Sequence, residues 1–216
     1  MTPNKEDYLK MIFELGGDTA LISNKQIVAG LDVSAASVSE MVTKLVEQRY
    51  VTHTPYQGIK LTASGQQKAA MLVRNHRLWE VFLVQSLGYP VDAIHQEAEK
   101  LEHATTPEMA DRLAKMLGKP QYCPHGGVIP DSDGHYLDQS RVALADVEVG
   151  QKGHIERVVD EAAVIDYIFG LGLHIEDHFT VVDKDQQTVT LHQTETGKDL
   201  PIERKRASHI FVELKD

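Results

Sequence analysis

Residues 95–103 read His-Gln-Glu-Ala-Glu-Lys-Leu-Glu-His, a segment with the spacing of a single helix face. In a helix, offsets of four and three residues place His95, Glu99 and Glu102 on one stripe. His103 lies four residues after Glu99 and extends that stripe. Imidazoles and carboxylates gathered in this way are typical ligands of divalent metal ions. A solvated acidic helix face is the alternative interpretation of the same spacing.

Two further groups of the same chemistry lie on either side of this segment. Upstream, residues 76–80 read His-Arg-Leu-Trp-Glu, which places His76 and Glu80 one helical turn apart. Downstream, Cys123 and His125 are separated by one residue, and Cys123 is the only cysteine. It has no partner for an internal disulfide, so it is either a metal ligand or a small buried apolar thiol. Together the three groups favour a metal site over an exposed acidic surface.

The composition limits the class of protein. A chain of 216 residues holds one large domain or two to three small ones. The sequence has no uncharged apolar run long enough for a transmembrane span, and no signal peptide is visible. We therefore expect a cytoplasmic protein without a membrane partner. The net charge of −10 argues against a general nucleic-acid binder. The acidic excess lies outside residues 1–72, which carry seven basic and seven acidic residues, so DNA contact by this part is permitted.

The first segment, residues 1–63, has the pattern of a winged helix-turn-helix. An apolar stripe predicts a first helix over Asp7–Glu14, and Ser23 is a suitable cap for a short second helix. A tight turn leads to a longer helix over Ala35–Arg49, followed by two β-like runs around Pro55–Gly58 that form a hairpin wing. A three-helix core without a DNA role has the same periodicity, but this order of elements favours DNA binding.

The longer helix is predicted to bury Val38, Met41, Val42, Leu45 and Val46. Its opposite face is small and polar, as a helix that reads the major groove requires. The residues expected to contact DNA are Ser34, Ala35, Ala36, Ser37, Ser39, Glu40 and Lys44.

The second segment, residues 64–140, is predicted to be helical. Periodicity indicates helices over 66–87, 95–103 and 108–117, followed by a loop over 122–127. The first of these helices carries more apolar residues than one thin core needs, which indicates a dimer seam.

The third segment, residues 144–216, changes to an alternating pattern. Short strands are predicted near 150–159, 179–182, 188–191 and 209–212, with one helix over Val164–Leu171. Several short strands in a small segment favour a barrel. The predicted fold is therefore mainly α with α+β parts.

Five motifs occur in one order along the whole chain. They are Glu-Asp-Tyr-Leu at 6–9, the serine-rich run at 33–39, His-Arg-Leu-Trp-Glu at 76–80, Ala-Glu-Lys-Leu-Glu-His at 98–103 and Cys-Pro-His-Gly at 123–126. In these motifs the chain resembles the diphtheria-toxin-repressor/MntR family of metal-dependent transcriptional repressors, in particular its three-domain streptococcal manganese regulators. The resemblance implies a winged helix-turn-helix, a helical dimerisation domain and a C-terminal SH3-like barrel similar to the protein FeoA.

The resemblance also implies two metal sites. One is implied at Asp7, His76, Glu99, Glu102 and His103, and the other at Glu80, Cys123, His125 and Asp160. Asp7 and Glu99 stand where the iron-responsive branch has Met and Cys, which favours manganese over softer ions. Lys10 departs from the two-domain manganese branch, which has a second first-helix carboxylate there. His95 and Glu97 are further candidates, with a solvated face as the alternative.

The function implied is a Mn²⁺-dependent repressor without catalytic residues. Metal would order a homodimer for binding to a double-stranded DNA operator, and the controlled genes would include manganese uptake transporters. Fe²⁺, Zn²⁺ and Cd²⁺ are expected to bind in vitro. Two alternatives stay open at this point: a metal-independent helix-turn-helix regulator that senses an organic ligand, and a metallohydrolase.

Overall fold

The chain forms two compact units, Met1–Leu137 and Asp138–Asp216. The computed structural model describes residues 2–215. Within these residues no helix is long and apolar enough to cross a membrane. The boundaries 1–63, 64–140 and 144–216 stay a prediction, whereas the predicted fold class is confirmed by the elements that follow.

The N-terminal unit begins with a winged helix-turn-helix. Its elements are α1 (Pro3–Glu14), α2 (Asn24–Leu31), α3 (Ala35–Glu47), β1 (Val51–Thr54) and β2 (Gly58–Leu61). The two strands pair antiparallel and form the wing.

Local capping explains where α2 and α3 begin. Ser23 and Gln26 form a reciprocal capping box at α2, and the Ser34 hydroxyl accepts from the backbone N–H three residues on at α3. α3 buries Val38, Val42 and Leu45, one face at helical spacing. The prediction that Val46 is buried is wrong, since it is 39% exposed, and Met41 is half-buried. Both positions flank the stripe that contacts the core.

Three helices complete this unit: α4 (Ala63–Leu87), α5 (His95–Glu102) and α6 (Pro107–Met116). A gap of seven residues after α4 lets α5 and α6 pack back against it. Their common core consists of Leu78, Trp79, Leu83, Ile94, Ala98, Ala110 and Leu113. Much of the apolar excess on α4 therefore packs within the chain, and a dimer seam on this helix stays a prediction.

The C-terminal unit is a five-stranded antiparallel sheet with two helices. Its elements are β3 (Lys152–Val158), α7 (Ala162–Gly170), β4 (His178–Lys184), β5 (Thr188–Gln193), β6 (Lys198–Glu203), α8 (Arg204–Ala207) and β7 (Ile210–Lys215). The strand order is β6-β5-β4-β3-β7. The sequence prediction missed β6 and α8. β6 contains Pro201, which lacks a backbone N–H and is tolerated because β6 is an edge strand.

Candidate metal centre

A first ligand cluster joins α1 to α5. Ligand atoms of Asp7, Glu102 and His103 all lie within 4.8 Å of one another, and we call this cluster the Asp7 site. Nε2 of His103 lies 3.3 Å from Oδ1 of Asp7 and 3.6 Å from Oε1 of Glu102. Glu102 is the last residue of α5 and His103 is its C-cap, whereas Asp7 lies on α1, so the site spans both helices.

The Asp7 site fits a cation. Oδ1 of Asp7 is buried and accepts no hydrogen bond, although it lies beside the His103 imidazole. Burial raises the pKa of Asp7 to about 6, against the attraction of Lys10 and His103. A buried carboxylate oxygen without a donor is costly unless a cation compensates it. Two carboxylates and one imidazole suit Mn²⁺ as ligand types.

Glu6 supports His103 from the other side. Nδ1 of His103 lies 2.7 Å from Oε2 of Glu6, which leaves Nε2 facing the site. Glu6 is in turn held by Lys68 of α4 at 3.1 Å. Sequence reasoning missed this role, and its only signal was the position of Glu6 directly before Asp7.

A buried lysine also contacts Glu102. Nζ of Lys10 lies 2.9 Å from both carboxylate oxygens of Glu102 and 3.4 Å from Nδ1 of His76. His76 also contacts Glu102 directly. Although burial acts in the opposite direction, His76 and Lys10 hold the pKa of Glu102 below its usual range. Burial and Lys10 favour neutral His76, but Glu102 and Glu80 outweigh them and raise its pKa to about 9.

Glu99 lies apart from the Asp7 site. Its Oε2 is 3.5 Å from Nε2 of His95, and this contact lowers the pKa of Glu99 to about 2. His95 is buried against His76, with ring centroids 4.8 Å apart, and burial lowers its pKa. His76, Glu80 and His95 form a cluster of possible ligands of their own. The structure thus places His95, one of the further candidates, in a cluster with His76 and Glu80. Glu99 contacts His95 at the side of this cluster.

A second cluster joins α4 to the loop after α6. Ligand atoms of Glu80, Cys123 and His125 lie within 4.8 Å of one another, and we call it the Cys123 site. Oε1 of Glu80 is 2.8 Å from Nδ1 of His125 and 3.2 Å from Nε2 of His76. Nε2 of His125 lies 3.2 Å from the Val91 carbonyl, to which it donates when Nδ1 faces the site as an acceptor. A thiolate and an imidazole suit borderline ions such as Zn²⁺, and the Glu80 carboxylate also suits Mn²⁺.

The loop that carries Cys123 and His125 is held in place by its backbone. The Cys123 N–H donates to the Gly127 carbonyl at 2.9 Å. Arg77 of α4 donates to the Val128 carbonyl and pairs with Glu14 of α1. A side chain at Gly127 would collide with the Arg77 guanidinium, since an added Cβ would lie 2.4 Å from its central carbon. The sequence predicted Cys123 and His125 as ligands. The packing of their loop against α4 holds both side chains beside Glu80.

Asp160 follows β3 in the C-terminal unit. Its part in metal binding stays a prediction.

The predicted DNA-contacting residues lie on the exposed side of α3. Those that are exposed are Ser34, Ala35, Ala36, Ser37, Ser39 and Glu40. Lys44 is half-buried, and its Nζ lies 2.6 Å from Oε1 of Glu40. The hydroxyl of Ser39 donates to the Ala35 carbonyl within the helix. The exposed face of α3 therefore carries mainly small side chains. Such a surface admits the close approach of a base edge.

Three family models match consecutive parts of the chain. "Iron dependent repressor, N-terminal DNA binding domain" matches residues 1–59, and "Iron dependent repressor, metal binding and dimerisation domain" matches residues 62–131. "FeoA domain" matches residues 142–214.

Individual relatives agree with these models. The solved structure titled manganese regulator SloR is 40% identical, covers all of both chains and has a TM-score of 0.81. ScaR with bound Cd²⁺ is 33% identical over 97% of this chain and 99% of that one, with a TM-score of 0.78. The diphtheria toxin repressor of Corynebacterium diphtheriae is 25% identical over 219 residues, 96% of each chain. Other curated relatives align over a shorter stretch, and the chain spans 54–63% of their length.

A winged helix joined to a dimerisation domain with clustered metal ligands defines a metal-dependent transcriptional repressor. The chain belongs to the iron-dependent repressor family, which includes the diphtheria toxin repressor. Its relatives are repressors and not enzymes, so the metallohydrolase interpretation is set aside. The metal-independent regulator is set aside as well, because this family acts with metal. The matched DNA-binding domain and dimerisation domain indicate DNA and a second copy of the chain as partners.

Proposed function

We propose that this protein is a manganese-activated repressor that controls manganese uptake genes, with two metal sites per chain. The observation that carries the proposal is the Asp7 site, where a ligand of α1 meets two ligands of the α5 segment. The ligand types, rich in carboxylate oxygen, and the manganese regulator SloR among the similar structures support Mn²⁺ as the activating ion. ScaR structures carry Cd²⁺ and Zn²⁺, so these ions, with Fe²⁺, are expected to bind in vitro.

The ligand sets that we propose differ in softness. The Asp7 site would use Asp7, Glu102 and His103, while His76 contacts Glu102 and the charge of Glu99 acts on Asp7. The Cys123 site would use Glu80, Cys123 and His125, and Asp160 is kept as a further candidate. Because it contains a thiolate, the Cys123 site should tolerate Zn²⁺ and Cd²⁺ better than the Asp7 site does.

The chain's own residues explain how a cation could act at a distance. A bound divalent ion supplies positive charge shared by the carboxylates of α1 and α5. Asp7 then holds α1 to α5, and through the core of the first three helices it restricts where α3 lies. Two such α3 helices in a homodimer would be set at the separation of successive major grooves. Affinity for DNA rises by linkage, because the ion binds better to the arrangement that DNA also favours.

The homodimer needs an apolar surface other than the core-facing side of α4. We propose that exposed apolar residues at the end of α4 and on the helices that follow form the centre of the dimer interface. These residues are Leu87, Tyr89, Leu101, Met109 and Met116.

The proposed function is tested by a DNA mobility-shift titration. A duplex obtained by binding-site selection is mixed with the full chain and with Mn²⁺, Fe²⁺ or Zn²⁺, and with chelator as control. We expect tight binding with Mn²⁺ and loss of binding with chelator. Binding that is unaffected by chelator would contradict the proposal.

A further inference from the structure

Lys10 is a buried cation inside a set of candidate metal ligands. It lies on α1, three residues after Asp7 and therefore on the same helix face. Only 6% of Lys10 is exposed, although lysine is among the residues least often buried unless it is paired. Its ammonium is compensated by Glu102, which is 1% exposed.

The ammonium contacts the same carboxylate that the Asp7 site would use. Nζ of Lys10 lies 2.9 Å from Oε1 and 2.9 Å from Oε2 of Glu102. Oε1 is also the oxygen that faces Nε2 of His103 at 3.6 Å. His76 contacts Oε2. The Glu102 carboxylate is therefore already satisfied by cationic donors of the chain itself.

A divalent ion at this oxygen would be close to the ammonium. Metal–oxygen bonds of Mn²⁺-like hard ions are roughly 2.0–2.6 Å long. An ion bonded to Oε1 would consequently lie no more than about 5.5 Å from Nζ if Lys10 kept its place. Like charges at this separation repel strongly in a buried site. The lysine stem has four flexible carbons, so the ammonium is able to move away without unfolding α1.

We propose that Lys10 is an internal competitor for the divalent cation at Glu102, and that its ammonium leaves Glu102 when the Asp7 site takes up metal. The inference rests on the proposed function and deepens it. In the metal-free protein, Lys10 keeps α1 attached to α5 and prevents the repulsion that several carboxylates would otherwise exert. In exchange, it weakens metal binding, so the protein responds only when the free metal concentration exceeds a higher threshold.

The test is a Mn²⁺ binding isotherm of the full chain, measured by titration calorimetry for wild type, Lys10→Met and Lys100→Met. Lys100 is a matched control, because it lies on α5, is exposed and pairs with Glu97 at 2.8 Å. We expect one binding step to tighten by about tenfold or more in Lys10→Met, since a buried like charge is removed. The Lys100→Met isotherm should stay within about twofold of wild type, because exposed charges are screened. A lysine with a purely structural role would weaken binding or leave it unchanged on removal.

A second measurement follows the wild-type chain, and a variant serves only to assign one signal. Lysine labelled with ¹³C at Cε reports the surroundings of the ammonium by NMR, and Cd²⁺ is a diamagnetic probe. We expect the Lys10 signal, assigned by its absence in Lys10→Met or Lys10→Arg, to shift to the position of a solvated lysine as Cd²⁺ is added. The Lys100 signal should not move.

The outcomes separate the two proposals. If wild type binds Mn²⁺ and responds to it on DNA, but Lys10→Met binds no more tightly and the Lys10 signal does not shift, the competition is refuted and the proposed function stands. If wild type binds no Mn²⁺, both are refuted.

Discussion

Replacing Asp7 by asparagine should stabilise the metal-free protein and remove its response to metal. Burial raises the pKa of Asp7 from 3.8 to about 6. Ionising this carboxyl therefore costs about 3 kcal/mol more in the folded than in the unfolded chain. The Asp7 side chain is 27% exposed, so solvent screening reduces the value to about 1–3 kcal/mol. Asparagine has the same shape without the charge and avoids this cost.

The sign of the pH dependence follows from the raised pKa. The cost is absent well below 3.8, grows as pH rises toward about 6, and is complete above it. At pH 7.5 we expect the metal-free Asp7→Asn protein to melt higher than wild type, by roughly 2–4 °C for each kcal/mol gained. At pH 5 the advantage should be roughly half as large.

Thermal unfolding with and without Mn²⁺ measures both effects. Wild type should gain stability from Mn²⁺, whereas the variant should lose the part contributed by the Asp7 site and its metal-stimulated DNA binding. Asp166→Asn, exposed on α7 and outside the ligand clusters, is a control for the loss of one acidic charge. A metal-free variant that is less stable than wild type at pH 7.5, or one that still responds fully to Mn²⁺ on DNA, would refute the reasoning.

Three further predictions follow from the other parts of the chain. Cys123→Ser should bind one Mn²⁺ fewer per chain by equilibrium dialysis, and an unchanged stoichiometry would show that Cys123 is a buried thiol without a metal role. Glu40→Gln should change the preferred base at one operator position in a binding-site selection, while Lys44→Ala should weaken binding to all sequences alike. Identical base preferences for wild type and Glu40→Gln would exclude base reading by Glu40. Leu87→Asp should yield monomers in sedimentation velocity, and an intact dimer would place the seam elsewhere.

The helices of the N-terminal unit were predictable because their signals are local. Ser23, Ser34 and Thr106 each cap a helix by a side-chain bond to a backbone N–H within three residues. The stripe of α5 was predictable in the same way, since helical spacing alone puts His95 and Glu99 together. Edge strand β6 was missed because Pro201 lies within it and only Leu200 and Ile202 supply an alternating apolar signal.

The inner arrangement of the candidate centre was not predictable from spacing. Spacing puts Glu99 and Glu102 on one face, but packing against α1 and α4 turns Glu102 inward and leaves Glu99 half-buried beside His95. Lys10 has the sequence appearance of a solvated lysine, but in the fold it is buried in contact with His76 of α4 and Glu102 of α5. Glu102 consequently has a cationic partner in the chain itself. The contacts of Lys10 join residues 66 and 92 positions apart, which spacing along one helix does not reveal.

The central claim is that metal at the Asp7 site and DNA at α3 favour the same arrangement of the N-terminal unit. It is tested most directly by measuring the Mn²⁺ affinity of the full chain with and without a saturating selected DNA duplex. Linkage requires that DNA tighten Mn²⁺ binding by the same factor by which Mn²⁺ tightens DNA binding, and we expect a factor of about 5–150. Equal Mn²⁺ affinities in the presence and absence of DNA would contradict the claim.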